Sequence, residues 1–148
     1  MKSNSAGKEN SAPYSRRIMV VDDAECIRVT VREVFRHEGF EVIAAAGASE
    51  CLQHLRDGFR GVILMDVMMP LKDGWDTIRE IKAADLLMGN IIVMLTGMDS
   101  PDQGMEGLQE IVVDYITKPF TPERLVSTVQ KYLTYLEHVD KEQGVIDV

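Results

Sequence analysis

Apolar residues along this chain follow two alternating patterns. Three short runs are apolar at consecutive positions, which is typical of strands buried on both faces of a parallel sheet, and two further short segments are also predicted to be strands. Between these runs, apolar residues recur every three or four positions, which indicates amphipathic helices. The predicted strands cover residues 17–21, 41–46, 62–66, 91–95 and 111–117.

Three helices are predicted between the first four strands. In the first, Arg28, Arg32 and Arg36 are expected to point outward, opposite the apolar stripe. The second is expected to end at Gly58. The apolar positions that define them are Ile27, Val31, Val34 and Phe35 in the first, Leu52 and Leu55 in the second, and Trp75, Ile78 and Ile81 in the third.

Two more helices complete the pattern. A short fourth helix over residues 100–110 is weakened by two internal glycines. In the closing helix, Thr121 is a good N-cap and Pro122 suits the first helical position. This helix carries apolar residues at helical spacing and is expected to end near His138.

The alternation of strands and helices predicts an α/β fold, a doubly wound five-stranded parallel sheet with helices on both faces. Right-handed crossovers leave two or three strand orders, and the flavodoxin-like order 2-1-3-4-5 suits five strands best. We expect residues 1–15 to form a disordered arm, residues 16–138 the folded domain and residues 139–148 a polar tail.

Composition narrows the possible classes of protein. A chain of 148 residues that is 45% hydrophobic corresponds to one globular domain. The net charge of −8 opposes direct binding to nucleic-acid phosphates. No stretch approaches the ~18 apolar residues of a membrane span or contains the apolar core of a signal peptide, so we expect no membrane insertion and a cytoplasmic location. Cys26 and Cys51 lack metal-ligand spacing and are expected to be small core residues.

Polar residues that could bind a metal or take part in a reaction lie at the ends of four of the predicted strands. In the order 2-1-3-4-5, Asp22 and Asp23 after the first strand meet Asp66 at the end of the third, with Thr96 and Lys118 entering from the last two. Three mutually repelling carboxylates need a cation, and oxygen ligands with room for water suit Mg²⁺. A carboxylate beside Mg²⁺, an ammonium group and a hydroxyl can attack a phosphoryl group without a general base.

These residues belong to a longer ordered set in which each feature lies at or near a strand end. The set comprises Asp22-Asp23, the Asp66-x-x-x-Pro70-x-x-x-Gly74 segment, Thr96, Tyr115 and Lys118-Pro119-Phe120. With this set, residues 17 to about 136 resemble the receiver domain of two-component response regulators, the CheY-like family. The resemblance implies a stand-alone, single-domain regulator in a phosphorelay.

The resemblance also implies roles for the acidic residues. Asp66 would be the phosphoacceptor, taking a phosphoryl group from a sensor histidine kinase or a phosphotransfer protein. Asp23 and Asp66 would bind Mg²⁺ through their side chains, Met68 through its backbone carbonyl and Asp22 mainly through water. The chain would be no enzyme beyond its own phosphorylation and slow autodephosphorylation.

The remaining implied roles concern the response. Lys118 would pair with a phosphoryl oxygen, and its bond to Pro119 would be cis. Thr96 would move toward the phosphoryl group and Tyr115 would turn inward behind it. The readout face would combine the fourth helix, the fifth strand and the closing helix. Because no effector domain is expected after residue 138, output would come from contact with a downstream protein or with a second copy of the chain.

Several positions near the predicted site depart from the family pattern or bear on the lifetime of the phosphorylated state. Gly97 replaces a frequent alanine, and Ile111 stands where a glycine usually leads into the fifth strand. Met68 and Met98 are apolar where a polar side chain could orient water, so a long-lived aspartyl phosphate is expected.

Three alternative functions remain. One is an aspartyl-phosphate phosphatase of the haloacid dehalogenase type, which needs a second carboxylate at the position of Met68. The second is a degenerate receiver that acts as a binding module. The third is a flavin-binding protein, which Asp22-Asp23 disfavours because these carboxylates would repel the cofactor phosphate.

Overall fold

The computed structural model of the chain describes residues 17–97, 107–108 and 110–147, with side chains described as far as residue 139. The disordered arm predicted for residues 1–15 and most of the fourth helix predicted for 100–110 lie outside the described residues. The strands are β1 (Arg17–Val21), β2 (Glu41–Ala45), β3 (Gly61–Asp66), β4 (Asn90–Thr96) and β5 (Val112–Thr117). The helices are α1 (Glu25–Arg36), α2 (Ala48–Arg56), α3 (Gly74–Ala83) and α4 (Pro122–Asp147).

The five strands form one parallel sheet in the order β2-β1-β3-β4-β5, which confirms the predicted doubly wound topology. The central strand β3 is buried at all six positions, as its unbroken apolar run predicts. Val21 at the end of β1 lies opposite Met65 in β3. The polar residues that follow these two strands therefore reach the same edge of the sheet.

Two hydrophobic clusters cover the two faces of the sheet. Alternate residues of a strand point to opposite faces, so Met19 and Ile63 join one cluster whereas Val20 and Leu64 join the other. The first cluster includes the apolar stripes of α2 and α3, and the second includes those of α1 and α4. The buried stripe residues are Leu52, Leu55, Trp75, Ile78 and Ile81 on the first face, and Val31, Phe35, Leu125, Val129 and Leu136 on the second.

The closing helix is longer than predicted. We expected an end near His138, whereas the helix α4 continues to Asp147. Lys141, Glu142 and Gln143 favour helix and no proline interrupts them, which allows the helix to continue past His138; the last four residues, from Gly144, are weaker helix formers. The predicted start of this helix is confirmed: Pro122 is its first residue, and the Thr121 hydroxyl accepts a hydrogen bond from the Arg124 amide at 3.0 Å.

The prediction for the two cysteines was right for one and wrong for the other. Cys51 is buried in the first cluster, and this burial raises the pKa of its thiol to about 12. Cys26 is exposed on α1. It lies nine positions before the buried Phe35, which is two and a half turns of helix, so the two side chains are on opposite sides and Cys26 faces away from the core. In the described part of the chain, no helix is both long enough and apolar enough to cross a membrane.

Candidate functional site

The three predicted carboxylates meet at the carboxyl edge of the sheet. Asp22, Asp23 and Asp66 each place one carboxylate oxygen within 4.8 Å of the others. Asp22 and Asp66 are buried, with 0% and 4% of their surface exposed, whereas Asp23 is exposed at the mouth of the cleft. The convergence expected from the strand order is therefore present, and the carboxylates differ in their access to solvent.

Lys118 bridges the two buried carboxylates. Its Nζ donates hydrogen bonds to Oδ2 of Asp22 at 2.9 Å and to Oδ1 of Asp66 at 3.1 Å. The backbone positions this side chain, because the Lys118 amide, just after β5, donates to the carbonyl of Thr96, the last residue of β4, at 2.7 Å. The peptide bond from Lys118 to Pro119 is cis, as the resemblance implied.

Asp22 is held by several groups besides Lys118. Its Oδ1 accepts a hydrogen bond from the Ala24 amide at 3.0 Å, so both carboxylate oxygens have a partner within the protein. Its backbone carbonyl accepts a hydrogen bond from Arg28 Nη1 at 2.8 Å. The prediction that Arg28 points outward was therefore wrong. The first turn of α1 begins beside the cleft, so this half-buried arginine reaches back to the end of β1.

Burial and charge determine the protonation of the site. Burial, with a further contribution from the Asp22 carboxylate, raises the pKa of Asp66 to about 6, although Lys118 opposes the rise. Burial lowers the pKa of Lys118, but its hydrogen bond to Asp22 and the charges of both carboxylates outweigh that effect and leave it above the ordinary value. At neutral pH the site therefore contains an ionised Asp66 beside a firmly protonated lysine.

The loop after β3 shapes the site through a close backbone contact. A Cβ on Gly74 would lie 2.4 Å from the Asp66 carbonyl oxygen and 3.0 Å from Met94 Cε. The Gly74 amide donates to the Val67 carbonyl at 2.9 Å, which closes the loop against the strand. The glycine of the Asp66-x-x-x-Pro70-x-x-x-Gly74 segment is thus needed for close approach.

A helix cap that sequence reasoning missed anchors the same loop. Asp73 is the N-cap of α3, and its side chain accepts a hydrogen bond from the Asp76 amide at 2.8 Å. The Asp76 side chain accepts one from the Asp73 amide in return, at 3.3 Å. The sequence signal was present, since an aspartate precedes the apolar stripe and a second acidic residue follows three positions later.

The other predicted site residues lie around the cleft. Thr96 is half-buried at the end of β4, in register with Thr117 of β5. Tyr115 is half-buried in β5 and packs against the first cluster. The Met68 side chain is 75% exposed, and its amide donates to Asp66 Oδ1 at 3.3 Å. The switch roles of Thr96 and Tyr115, and the Met68 carbonyl as a ligand, stay predictions.

The donor set fits a hard divalent cation. Three carboxylates, one of them with a raised pKa, create a negative site that a metal ion would relieve. All the converging ligand atoms are oxygens, which suit magnesium and calcium rather than softer metals.

A doubly wound parallel sheet with this acidic cleft and lysine at its carboxyl edge defines the CheY-like class of α/β proteins. The sequence matches the response regulator receiver domain family over residues 18–130, and the chain belongs to that family.

Three relatives show how far the likeness extends. The chain is 44% identical to a CheY-like response regulator receiver domain protein from Methanospirillum hungatei JF-1, whose crystal structure matches with a TM-score of 0.80 over 84% of this chain and 98% of that chain. It is 29% identical to the chemotaxis protein CheY of Bacillus subtilis (strain 168), over 80% of this chain and 98% of CheY. It is 32% identical to the phosphate regulon transcriptional regulatory protein PhoB of Shigella flexneri, over 88% of this chain and 59% of PhoB. The chain thus spans little more than half the length of PhoB.

Proposed function

We propose that this chain is a response regulator whose Asp66 accepts a phosphoryl group from the phosphohistidine of a sensor histidine kinase or a phosphotransfer protein. The observation that carries the proposal is the contact of the buried Asp66 carboxylate with Lys118 Nζ, 3.1 Å away, inside a cluster of three carboxylates. This arrangement combines a nucleophile with a cation that can neutralise phosphoryl oxygens. Membership of the receiver domain family supports the same chemistry.

In the proposed step, a carboxylate oxygen of Asp66 bonds to phosphorus while the bond from phosphorus to the imidazole nitrogen breaks. The imidazole leaves with the electron pair of that bond. Asp66 needs no general base, because its pKa of about 6 leaves it ionised at neutral pH. Lys118 would transfer its contact from Asp66 to a phosphoryl oxygen, while its hydrogen bond to Asp22 keeps the ammonium in the cleft.

The divalent ion that we propose for this site is Mg²⁺. Asp23 and Asp66 would hold it through their side chains and Met68 through its backbone carbonyl, with Asp22 contributing mainly through water. When bound, Mg²⁺ supplies positive charge against the phosphoryl oxygens. The more distant role of Asp22 is supported by its two occupied carboxylate oxygens, and the direct role of Asp23 by its exposure.

Signalling is proposed to proceed by contact. Thr96 and Tyr115 would respond to the new dianion, and the face that contains β5 and α4 would present the change to a downstream protein or to a second copy of the chain. The chain would perform no chemistry on another substrate apart from its own phosphorylation and the slow hydrolysis of its aspartyl phosphate. The cytoplasmic location stays a prediction of the sequence.

Acetyl phosphate as the phosphodonor tests the proposal directly. The chain is incubated with acetyl phosphate and Mg²⁺, and its intact mass is measured. We expect an adduct of one phosphoryl group in the wild type, no adduct in Asp66→Ala, and a full adduct in Asp57→Ala, which removes an exposed carboxylate at the end of α2. An adduct that persists in Asp66→Ala, or that forms fully in excess chelator, would contradict the proposal.

The same protein preparation separates this function from two of the alternatives, the phosphatase and the degenerate receiver. A haloacid dehalogenase-type phosphatase needs a second carboxylate two residues after its nucleophile, where this chain has Met68. Such an enzyme would release many phosphates per chain from an aryl phosphate, whereas a response regulator would not. A degenerate receiver would show no adduct at all.

A further inference from the structure

β5 is the last strand of the sheet order, so one edge of its backbone faces away from β4. Among the described residues, no strand pairs with this outer edge. The polar backbone groups of an edge strand need partners, and an open edge can also pair with another chain. Here side chains bind the outward backbone groups around Tyr115.

Three side chains form this contact, which we call the edge clamp: Asp114, Arg124 and Tyr132. Asp114 Oδ1 accepts a hydrogen bond from the Tyr115 amide at 2.8 Å, and Arg124 Nη2 donates to the Tyr115 carbonyl at 3.0 Å. The Tyr132 hydroxyl donates to Asp114 Oδ2 at 3.2 Å and lies 3.4 Å from the Val113 carbonyl oxygen. Arg124 and Tyr132 belong to α4, so the clamp joins that helix to the edge strand.

A local irregularity in β5 directs Asp114 toward the helix. Ile92 of β4 pairs with Val112, but the next residue, Val93, pairs with Asp114, so Val113 is an extra residue in the strand. A bulge of this kind changes the face to which the following side chains point. Asp114 thereby points to the face covered by α4, whereas the neighbouring Tyr115 packs against the opposite cluster.

The strength of the edge clamp comes from its hydrogen bonds to the backbone. The Arg124–Asp114 ion pair has an N–O distance of 3.7 Å with half of the arginine side chain exposed, so by itself it adds little. The hydrogen bonds to Tyr115 are shorter and involve charged groups, which makes them stronger than neutral ones. The clamp therefore mainly fixes the position of the strand edge.

The same strand delivers Lys118 to the acidic cleft. Lys118 lies four residues after Asp114 and contacts Asp22 and Asp66. One stretch of chain is thus held at both ends, by the carboxylates of the cleft and by the side chains of α4. We propose that Asp114, Arg124 and Tyr132 are positioning residues, which hold β5 at Tyr115 against α4 so that a displacement of β5 at the cleft is carried to that helix. The transmission of a displacement to α4 rests on the proposed function, whereas the positioning of β5 against α4 does not.

Amide hydrogen exchange tests the edge clamp without any phosphorylation. We expect Tyr115 amide exchange to accelerate by about tenfold in Asp114→Ala, as for the loss of one hydrogen bond, and to stay slow in Asp114→Asn, which keeps an acceptor oxygen. Tyr132→Phe should also accelerate exchange, because Asp114 loses a partner. The matched control is Tyr135→Phe, which alters an exposed tyrosine of the same helix. Unchanged exchange at Tyr115 in both Asp114→Ala and Tyr132→Phe would overturn the clamp.

Amide NMR shifts on addition of beryllofluoride, a phosphoryl analogue, test the transmission to α4. In the wild type and in Glu123→Ala, which changes the exposed neighbour of Arg124, we expect shifts at Lys118 and in residues 125–136. In Asp114→Ala and Arg124→Ala the shift at Lys118 should persist, whereas those in α4 should fall at least twofold, with rescue in Asp114→Asn. Full shifts in α4 in both alanine variants would overturn the positioning role. No shift anywhere in the wild type would contradict the proposed function and the transmission together, and the exchange result would still decide the clamp.

Discussion

At the residue scale, Asp66 carries an electrostatic cost in the absence of metal. Its pKa of about 6 in the folded chain lies above the ordinary value of 3.8, so the folded state binds this proton more tightly than the unfolded state. Protonation of Asp66 therefore stabilises the folded state; this stabilisation is complete below about pH 4 and is lost as the pH rises through 6. The ionised carboxylate that the proposed phosphorylation requires at neutral pH is therefore also the form of Asp66 that lowers the stability of the fold.

Replacing this carboxylate should stabilise the metal-free protein. In excess chelator at pH 7.5, we expect Asp66→Asn to raise the free energy of unfolding by about 1–3 kcal/mol, with most of the gain gone at pH 4. Urea denaturation at the two pH values measures it. Asp57→Asn, at an exposed carboxylate, should leave stability unchanged. An Asp66→Asn variant less stable than wild type at pH 7.5 would refute the electrostatic argument.

The two adjacent aspartates should differ in their effect on metal affinity. Asp23 is exposed beside the cleft, whereas both carboxylate oxygens of Asp22 are occupied by Lys118 and the Ala24 amide. We expect Asp23→Ala to weaken Mg²⁺ binding by about tenfold or more, and Asp22→Ala to weaken it less. Titration calorimetry gives both constants. A larger loss in Asp22→Ala would reverse the assigned ligand roles.

A buried hydroxyl in α4 offers a stability test at a residue outside the acidic cluster. Among the described side chains, Thr128 Oγ1 is buried without a hydrogen-bond partner. Thr128→Val should therefore stabilise the fold by about 1 kcal/mol, because a methyl group replaces an unsatisfied polar atom. Thr77→Val is the matched control and should be destabilising, since Thr77 Oγ1 donates to the Asp73 carbonyl at 2.8 Å. Thermal denaturation distinguishes these outcomes, and equal losses in the two variants would contradict the reasoning.

At the scale of elements, the loop from β3 to α3 depends on Gly74. A Cβ there would meet the Asp66 carbonyl oxygen at 2.4 Å, and backbone cannot move aside as a flexible side chain can. We expect Gly74→Ala to cost about 2 kcal/mol and to slow phosphorylation, because the loop that supports Asp66 must shift. Gly97→Ala is the control, since nothing lies within 4 Å of its added Cβ. Denaturation measures the loss of stability in both variants, and a phosphorylation assay measures the rate. Equal losses in Gly74→Ala and Gly97→Ala would contradict the close-contact explanation.

At the scale of the whole molecule, signalling by self-association and signalling by docking onto another protein can be distinguished by the mass of the phosphorylated particle. With a phosphoryl group bound, the face containing β5 and α4 is expected to contact either a second copy or a separate protein. Light scattering with and without beryllofluoride distinguishes them, and we expect a shift from monomer toward dimer. A particle that stays monomeric at high concentration would exclude self-association as the signal and leave docking onto a downstream protein.

The strand positions and their order could be predicted because they depend on local patterns and general topology. Consecutive apolar residues specified β1, β3 and β4, and right-handed crossovers favoured the observed order. That order in turn predicted the meeting of Asp22, Asp23 and Asp66, which depends only on the strand end that each residue follows. Patterns spanning a few residues were therefore enough to locate the site.

Only the tertiary structure decided how each side chain at the site is paired and buried. Asp22 and Asp23 are neighbours in sequence, yet one is buried against Lys118, which is 96 positions away, and the other is exposed. The sequence likewise did not reveal that Arg28 turns back to Asp22 or that Asp114 points to α4 across a bulge. Such contacts join different elements of the fold, and packing sets the distances between the groups and therefore their pKa values. Local periodicity describes only the element in which each residue lies.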